Sequence, residues 1–253
     1  MNILFTICGR SGSKGFKNKN LREMNGVPLV FYTLAAIWLY IKNHQQEHMK
    51  IAINTDSQPL IDIVKKQGVL DEILFVKRKE TLAGDKVAKV DVIRDTFRTV
   101  GRDFDIVVDL DITSPMRRQK DVANTIDVYK SDESYDLVTS VVQARRSPYF
   151  NMVEKKGSYY KKICESSFTT RQEAPASYEL NASIYAYRPS FLDAEIMDTI
   201  LDHCCGISVM EDYHVLDIDS EEDFKMMEFL HRYYLEHDEG IREVYEEAKK
   251  FIK

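Results

Sequence analysis

Asn2-Ile3-Leu4-Phe5-Thr6-Ile7-Cys8, followed at once by Gly9-Arg10-Ser11-Gly12-Ser13-Lys14-Gly15-Phe16-Lys17-Asn18-Lys19-Asn20, decides how this chain is read. The first stretch is apolar and β-branched, as a strand buried on both faces must be. The second holds four cations, three glycines and two serines between residues 9 and 20. Glycine lets backbone N–H groups approach an anion closely, and Arg and Lys supply opposite charge. The spacing matches neither GxxxxGK[ST] nor GxGxxG. A triphosphate tail is the natural ligand for so dense a cluster. A merely solvated loop is the competing reading, but it has no use for this glycine and serine content.

Beyond that loop, strand and helix patterns alternate. A helix is expected from Pro28 to about Asn43, strands at 50–54 and 72–77, and a helix from Val87 to Val100. A strand follows from Phe104 to Leu110, then a helix from near Gln119 and a strand from Asp136 to Val142. Such alternation predicts βαβ units and a mostly parallel sheet, an α/β fold. Ligands of these sheets bind beyond the carboxyl ends of the strands, here the loops after residues 8, 54, 77 and 110. From about 144 to 188 the pattern becomes Tyr-rich and irregular, with Phe150–Val153, Tyr159–Ile163 and Tyr178–Tyr187 expected as strands of an inserted sheet or arm. A strand before Asp217 and helices near 221–235 and 239–252 close the chain, and no linker or repeat divides residues 1–253, so a single domain is expected.

Composition narrows the function. The 253 residues carry a net charge of −6, against the basic excess of a nucleic-acid binder, and no nucleic-acid partner is expected. The amino-terminal apolar run is too short for a signal peptide. The longest apolar stretch, Val27 to Ile41, falls short of the ~20 residues that span a bilayer. The expectation is a cytoplasmic protein with no membrane partner. Cys8, Cys164, Cys204 and Cys205 form no CxxC pair and are expected as reduced thiols. Cys204 and Cys205, beside His203, admit a metal reading, with small apolar residues at a strand start as the plainer one.

Two acidic pairs stand two residues apart, so that on extended backbone each pair shares a face. Asp217-Ile218-Asp219 suits magnesium, which is usually held by one or two carboxylates together with phosphates and water. Asp219 or Ser220 capping the helix that starts near Glu221 is a second reading, and the two are compatible. Asp109 and Asp111 end the fourth strand, where a structural role and a place in the site are both open.

The loop Arg10-Ser11-Gly12-Ser13-Lys14-Gly15, continued by Lys17-Asn18-Lys19-Asn20, closely resembles the signature of the acylneuraminate cytidylyltransferases. The resemblance runs on in order through Leu110-Asp111-Ile112-Thr113-Ser114-Pro115-Met116-Arg117, Arg171-Gln172-Glu173-Ala174-Pro175, Tyr178-Glu179-Leu180-Asn181-Ala182-Ser183-Ile184-Tyr185 and Asp217-Ile218-Asp219-Ser220-Glu221-Glu222-Asp223. It implies a Rossmann-like fold of the nucleotide-diphospho-sugar transferase type, in which 144–188 is a dimerisation arm of a homodimer and 221–253 forms C-terminal helices. It implies transfer of CMP from CTP to a nonulosonic acid with release of pyrophosphate. On the resemblance, Arg10, Ser11, Gly12, Ser13, Lys14, Lys19, Asn20 and Arg78 hold CTP, and Asp217 and Asp219 hold Mg²⁺. Arg10, Lys14 and Lys19 join these aspartates in catalysis. Asp111, Arg171, Gln172, Asn181 and Tyr185 face the sugar. One departure stands out: Asp111 replaces the Gln usual in this family, and Ile112 the following Pro. With Pro148-Tyr149-Phe150-Asn151 and Phe168-Thr169-Thr170-Arg171-Gln172, that points to the legionaminic-acid branch. A Kdo cytidylyltransferase, a glycosyltransferase using Asp217-Ile218-Asp219 and a non-catalytic CTP-binding protein are the rivals.

Overall fold

A computed structural model describes residues 1–12, 16, 18–84, 86–194 and 198–252. The chain runs β1 (Asn2–Gly9), β2 (Glu23–Met24), β3 (Val27–Pro28), α1 (Leu29–Asn43), β4 (His48–Thr55), α2 (Gln58–Lys66), β5 (Ile73–Lys77), α3 (Lys89–Val100), β6 (Ile106–Leu110), α4 (Gln119–Ser131) and β7 (Leu137–Gln143). It continues through β8 (Val153–Lys156), β9 (Tyr159–Lys162), β10 (Tyr178–Tyr187), α5 (Pro189–Asp193), β11 (Cys205–Met210), α6 (Glu221–His237) and α7 (Glu239–Lys249). Seven strands form the central sheet in the order β11-β7-β10-β6-β1-β4-β5, and β10 alone runs antiparallel to its neighbours. The expected α/β class is borne out.

Period-two alternation in β1 sorts the two cores. Ile3, Phe5 and Ile7 pack with α1 and the C-terminal helices, while Leu4 packs with Val90, Ile93 and Phe97 of α3. Local chemistry sets the helix starts. Ser57 accepts from the Leu60 N–H at 3.4 Å to begin α2. Ser220 and Asp223 satisfy each other's backbone N–H groups at 3.1 and 2.7 Å, a capping box that starts α6. Pro28, expected inside the first helix, sits at its cap, where the missing N–H costs nothing.

Two expectations need correction. Tyr178–Tyr187 is no part of a separate inserted sheet: it is β10, between β6 and β7 in the central sheet. Its aromatic and apolar residues from Ile184 to Tyr187 are buried there, which local pattern could not distinguish from an arm. Phe150 and Asn151 lie in a turn, and the two-stranded sheet of β8 and β9 begins at Val153. The expected strand before Asp217 is present as β11, and a short 3₁₀ turn, Asp212–Val215, lies between them. Cys205 opens β11, as the plainer reading of the cysteine pair required, and all four cysteines are free thiols. Among the described residues no helix is long and apolar enough to cross a membrane.

Two histidines are buried at 4% and 1% exposure, His214 beside Asp121 and Arg118, and His231 against Tyr32. The Asn25 amide lies 2.8 Å from His231 Nδ1. Burial pushes both imidazoles down to about 4. The unfolded chain binds these protons near pH 6.5 and the native state does not, so stability is fully present above pH 6.5 and declines toward pH 4. Urea unfolding from pH 7 to pH 4.5 is therefore expected to show a steady loss, on the order of 1 kcal/mol per pH unit for each histidine. His231→Gln should flatten that slope; an unchanged slope would show that His231 does not drive it.

Candidate active site

The carboxyl ends of β1, β5 and β6 open into a cleft of about 530 Å³. Arg10, Lys19, Asn20, Arg78, Lys89, Asp111, Asp217 and Asp219 all line it. These are the loops in which a parallel sheet is expected to bind its ligand.

On the cationic side, each group is held by backbone. Arg78 donates from Nε to Asn54 Oδ1 at 3.0 Å and from a terminal nitrogen to the Asn54 carbonyl at 3.1 Å. Asn54 in turn donates to Thr96 at 3.0 Å, so a buried chain of hydrogen bonds fixes the guanidinium. Arg10 donates to the Ala83 carbonyl at 3.3 Å, and Asn20 donates to the Arg10 carbonyl at 3.2 Å. Lys19 bridges the cleft, donating to the Ile218 carbonyl at 3.0 Å and to Asp219 at 2.9 Å.

The acidic side is more tightly built. Asp109 is fully buried and stands opposite Thr6 in the parallel register, whose hydroxyl donates to it at 2.7 Å. Lys89, the first residue of α3, lies 2.6 Å from Asp109 Oδ2, a pair set by proximity rather than by hydrogen-bond angle, and donates to Asp111 Oδ2 at 2.7 Å. Burial pushes the Asp111 carboxyl up, but Lys89, and after it Arg117 and Lys19, hold it below the usual range. Burial likewise works against the Lys89 ammonium, and the two aspartates raise it well above its ordinary value. Asp217 is pushed up by burial and by the charges of Asp219 and Asp111.

The loop 111–118 joins these pieces. Fully buried Arg117 donates to the carbonyls of Asp111 and Ser114, the latter at 2.8 Å, and to Ser183 at 3.1 Å. Asp111 N–H donates to the Ser183 carbonyl at 3.1 Å, and Ile218 N–H to the Thr113 carbonyl at 3.0 Å. One loop thus sets the places of both the β10 bulge and the Asp217–Asp219 segment.

Of the residues expected to bind, Arg10, Lys19, Asn20, Arg78, Asp111, Asp217 and Asp219 come together in the cleft. Ser11 is exposed and bound to Asp56 through N–H and hydroxyl, both at 2.6 Å, and Gly12 holds a φ of +75° beside it. Ser13 and Lys14 lie outside the described residues. Tyr185 is buried opposite Asp109, its ring centroid 5.3 Å from Lys89 Nζ. Asn181 is not on the cleft wall; its amide is bound to Ser140 at 2.6 Å and Met210 at 3.2 Å, inside a bulge of β10. Arg171 and Gln172 are exposed away from the cleft, with Arg171 donating to the Ala144 carbonyl at 3.2 Å. Sequence reasoning missed Lys89. The available signal was two acidic residues at the end of an apolar strand, which require a cation nearby when buried.

Among the described residues no three His, Cys, Asp or Glu side chains form a metal-binding group. The acidic pair Asp217 and Asp219 nonetheless faces the open cleft.

Comparison with known proteins gives the same reading as the geometry. Residues 4–237 match the cytidylyltransferase family. CMP-N,N'-diacetyllegionaminic acid synthase of Campylobacter jejuni is 38% identical over 90% of this chain and 94% of its own. The post-translational flagellin modification protein B of Campylobacter coli is 37% identical over the same shares of the two chains. An N-acylneuraminate cytidylyltransferase of Streptococcus agalactiae is 27% identical over 88% of this chain and 52% of its own. Among solved structures, CMP:2-keto-3-deoxy-manno-octonic acid synthetase complexed with CTP superposes with a TM-score of 0.67 at 15% identity, covering 93% of this chain and all of that one, a likeness of fold. The resemblance carried by the sequence motifs is borne out: this chain belongs to the cytidylyltransferase family.

Proposed function

We propose that this protein activates a nonulosonic acid, of the legionaminic or N-acetylneuraminic type, with CTP, giving the CMP-sugar and pyrophosphate. The observation that carries this reading is that one cleft gathers the cations Arg10, Lys19, Arg78 and Lys89 together with the carboxylates Asp111, Asp217 and Asp219. A triphosphate needs such cations, and a polar sugar needs hydrogen-bonding carboxylates beside them. The named relatives that this chain matches along most of its length make CMP-sugars of this class. Identity near 38% to a legionaminic acid synthase, against 15% to the Kdo enzyme, favours the former substrate.

In this reading the anomeric hydroxyl of the sugar acid attacks the α-phosphorus and pyrophosphate leaves. Such transfers depend on positioning and on stabilising charge at phosphoryl oxygens. Arg10 and Lys19, joined by Ser11, Gly12, Ser13 and Lys14 of the same loop, hold the triphosphate and the leaving pyrophosphate. Asn20 and the braced Arg78 hold the nucleoside. Asp217 and Asp219 would hold Mg²⁺: their mutual repulsion, which with burial pushes Asp217 up, is what a divalent cation relieves. When bound, the ion neutralises phosphate charge. Lys19 already bonds to Asp219, so a cationic side chain is placed to bridge that carboxylate and the triphosphate.

Asp111 and Tyr185 stand on the sugar side. Arg171 and Gln172, exposed on the 144–177 segment, would reach a neighbouring copy's cleft in a homodimer. Exposed Val153, Tyr159 and Tyr160 on the β8–β9 hairpin support an apolar contact there. A cytoplasmic location fits the substrates.

The test is pyrophosphate release from CTP and Mg²⁺ with legionaminic, N-acetylneuraminic, pseudaminic and Kdo acids, with ATP, GTP and UTP as controls. Turnover restricted to CTP and a nonulosonic acid is expected; silence with every acid in folded protein contradicts the reading. Asp217→Asn and Lys19→Met should each lower kcat by about 10²–10³, the usual cost of removing one charge-stabilising group. Steady-state kinetics at saturating Mg²⁺ check this, and rates within threefold of wild type would remove both residues from the chemistry.

A further inference from the structure

Lys89 belongs to no motif, yet it sits at the centre of the acidic side of the cleft. Its ammonium pairs with Asp109 at 2.6 Å and Asp111 at 2.7 Å, and it lies 5.3 Å from the ring of Tyr185. It opens α3, where the positive end of the helix dipole disfavours a cation. The two carboxylates must therefore hold it, and they in turn need it. Asp109 has no exposed surface at all, and an unpaired charge there would be costly.

Asp111 differs from Asp109 in one respect. Its side chain is 21% exposed and it lines the cleft, with Lys89 on Oδ2 and only a long 3.3 Å bond from Thr113 on Oδ1. An ionised carboxylate has about four acceptor positions, so Asp111 keeps unfilled lone pairs toward the ligand. A bare carboxylate in this place would repel both an incoming triphosphate and a sugar acid. Pinned by Lys89, with Arg117 supplying the second positive charge that the two carboxylates need, it can instead read a donor.

Resting on the function proposed above, we infer that Lys89 is the positioning residue of the sugar subsite: it offsets the charge of Asp111 and fixes it to accept a hydrogen bond from a hydroxyl or amide N–H of the acidic sugar. The pair thereby selects a substrate that presents a donor at this point and rejects one that presents a carboxylate. Lys89 itself does not touch the reacting atoms.

The test is kinetic, on the full chain with CTP, Mg²⁺ and whichever sugar acid the wild type uses. Lys89→Met is expected to raise KM for the sugar about tenfold or more, the worth of a hydrogen bond to a charged group, while KM for CTP stays within about twofold. Lys89→Arg should recover part of the loss. Asp111→Asn should also raise the sugar KM selectively, and the double variant K89M/D111N should be no worse than the poorer single one, because the two residues act as a unit. Additive losses in the double variant, or a Lys89→Met that raises both KM values alike, would overturn the inference. If Lys89→Met does not fold, Asp111→Asn carries the test, since it leaves Lys89 paired with Asp109; an unchanged sugar KM in that variant would overturn it equally. A wild type silent with every sugar acid contradicts the proposed function, whereas a wild type that turns over while these variants fail to split the two KM values contradicts only the role given to Lys89.

Discussion

A carboxylate with no exposed surface lies in the middle of a parallel sheet: Asp109, on β6 between β1 and β10. Burying such a charge costs several kcal/mol unless it is paired and hydrogen-bonded, so its surroundings are constrained. Thr6 must stand opposite it on β1, and Lys89 must reach it from the start of α3. That fixes where α3 begins, and with it Arg78, Leu82, Gly84 and Val87, which line the cleft just before it. Lys89 then reaches Asp111 with the same ammonium, so a single ion cluster ties the sheet's interior to the ligand surface.

A second constraint extends the first. Arg117 is buried and spends its guanidinium on the Asp111 and Ser114 carbonyls and on Ser183. Burial lowers it to about 10, partly offset by Asp111, Asp109 and Asp121, so it stays charged at neutral pH. The loop it braces also bonds to Ile218, which places Asp217 and Asp219 in the same cleft as Arg10 and Lys19. Sites that act on phosphoryl groups need such preorganisation, because donors already in place cost no rearrangement during reaction. The antiparallel β10 belongs to the same device, since its bulge at Asn181 and Ala182, the latter at φ +49°, supplies Ser183 to Arg117.

Much of this was legible in the residues. The apolar Asn2–Cys8 run, the Gly- and Lys-rich loop after it and the βα alternation announced the sheet and the position of its cleft. Seven of the expected site residues meet there, because strand-end loops converge whatever their separation in sequence. What was not legible depends on long-range contacts. Asn181 reads as a polar ligand contact, but its amide fills a bulge against Ser140, a partner 41 residues away in the chain. Tyr178–Tyr187 carries no mark of being a central strand, since strand order is settled by packing rather than by local pattern. Lys89 looks like an ordinary helix-start lysine until the aspartates of β6 are folded beneath it.

The central claim is that one cleft at the carboxyl ends of β1, β5 and β6 holds both the nucleotide and the sugar acid. A crystal structure with the CMP-sugar product tests it most directly. The account predicts the cytidine against Arg78 and Asn20, and the sugar with a hydroxyl or amide N–H within hydrogen-bonding distance of Asp111, the carboxylate paired with Lys89. A nucleotide bound outside this cleft, or a sugar that leaves Asp111 facing solvent, would contradict it.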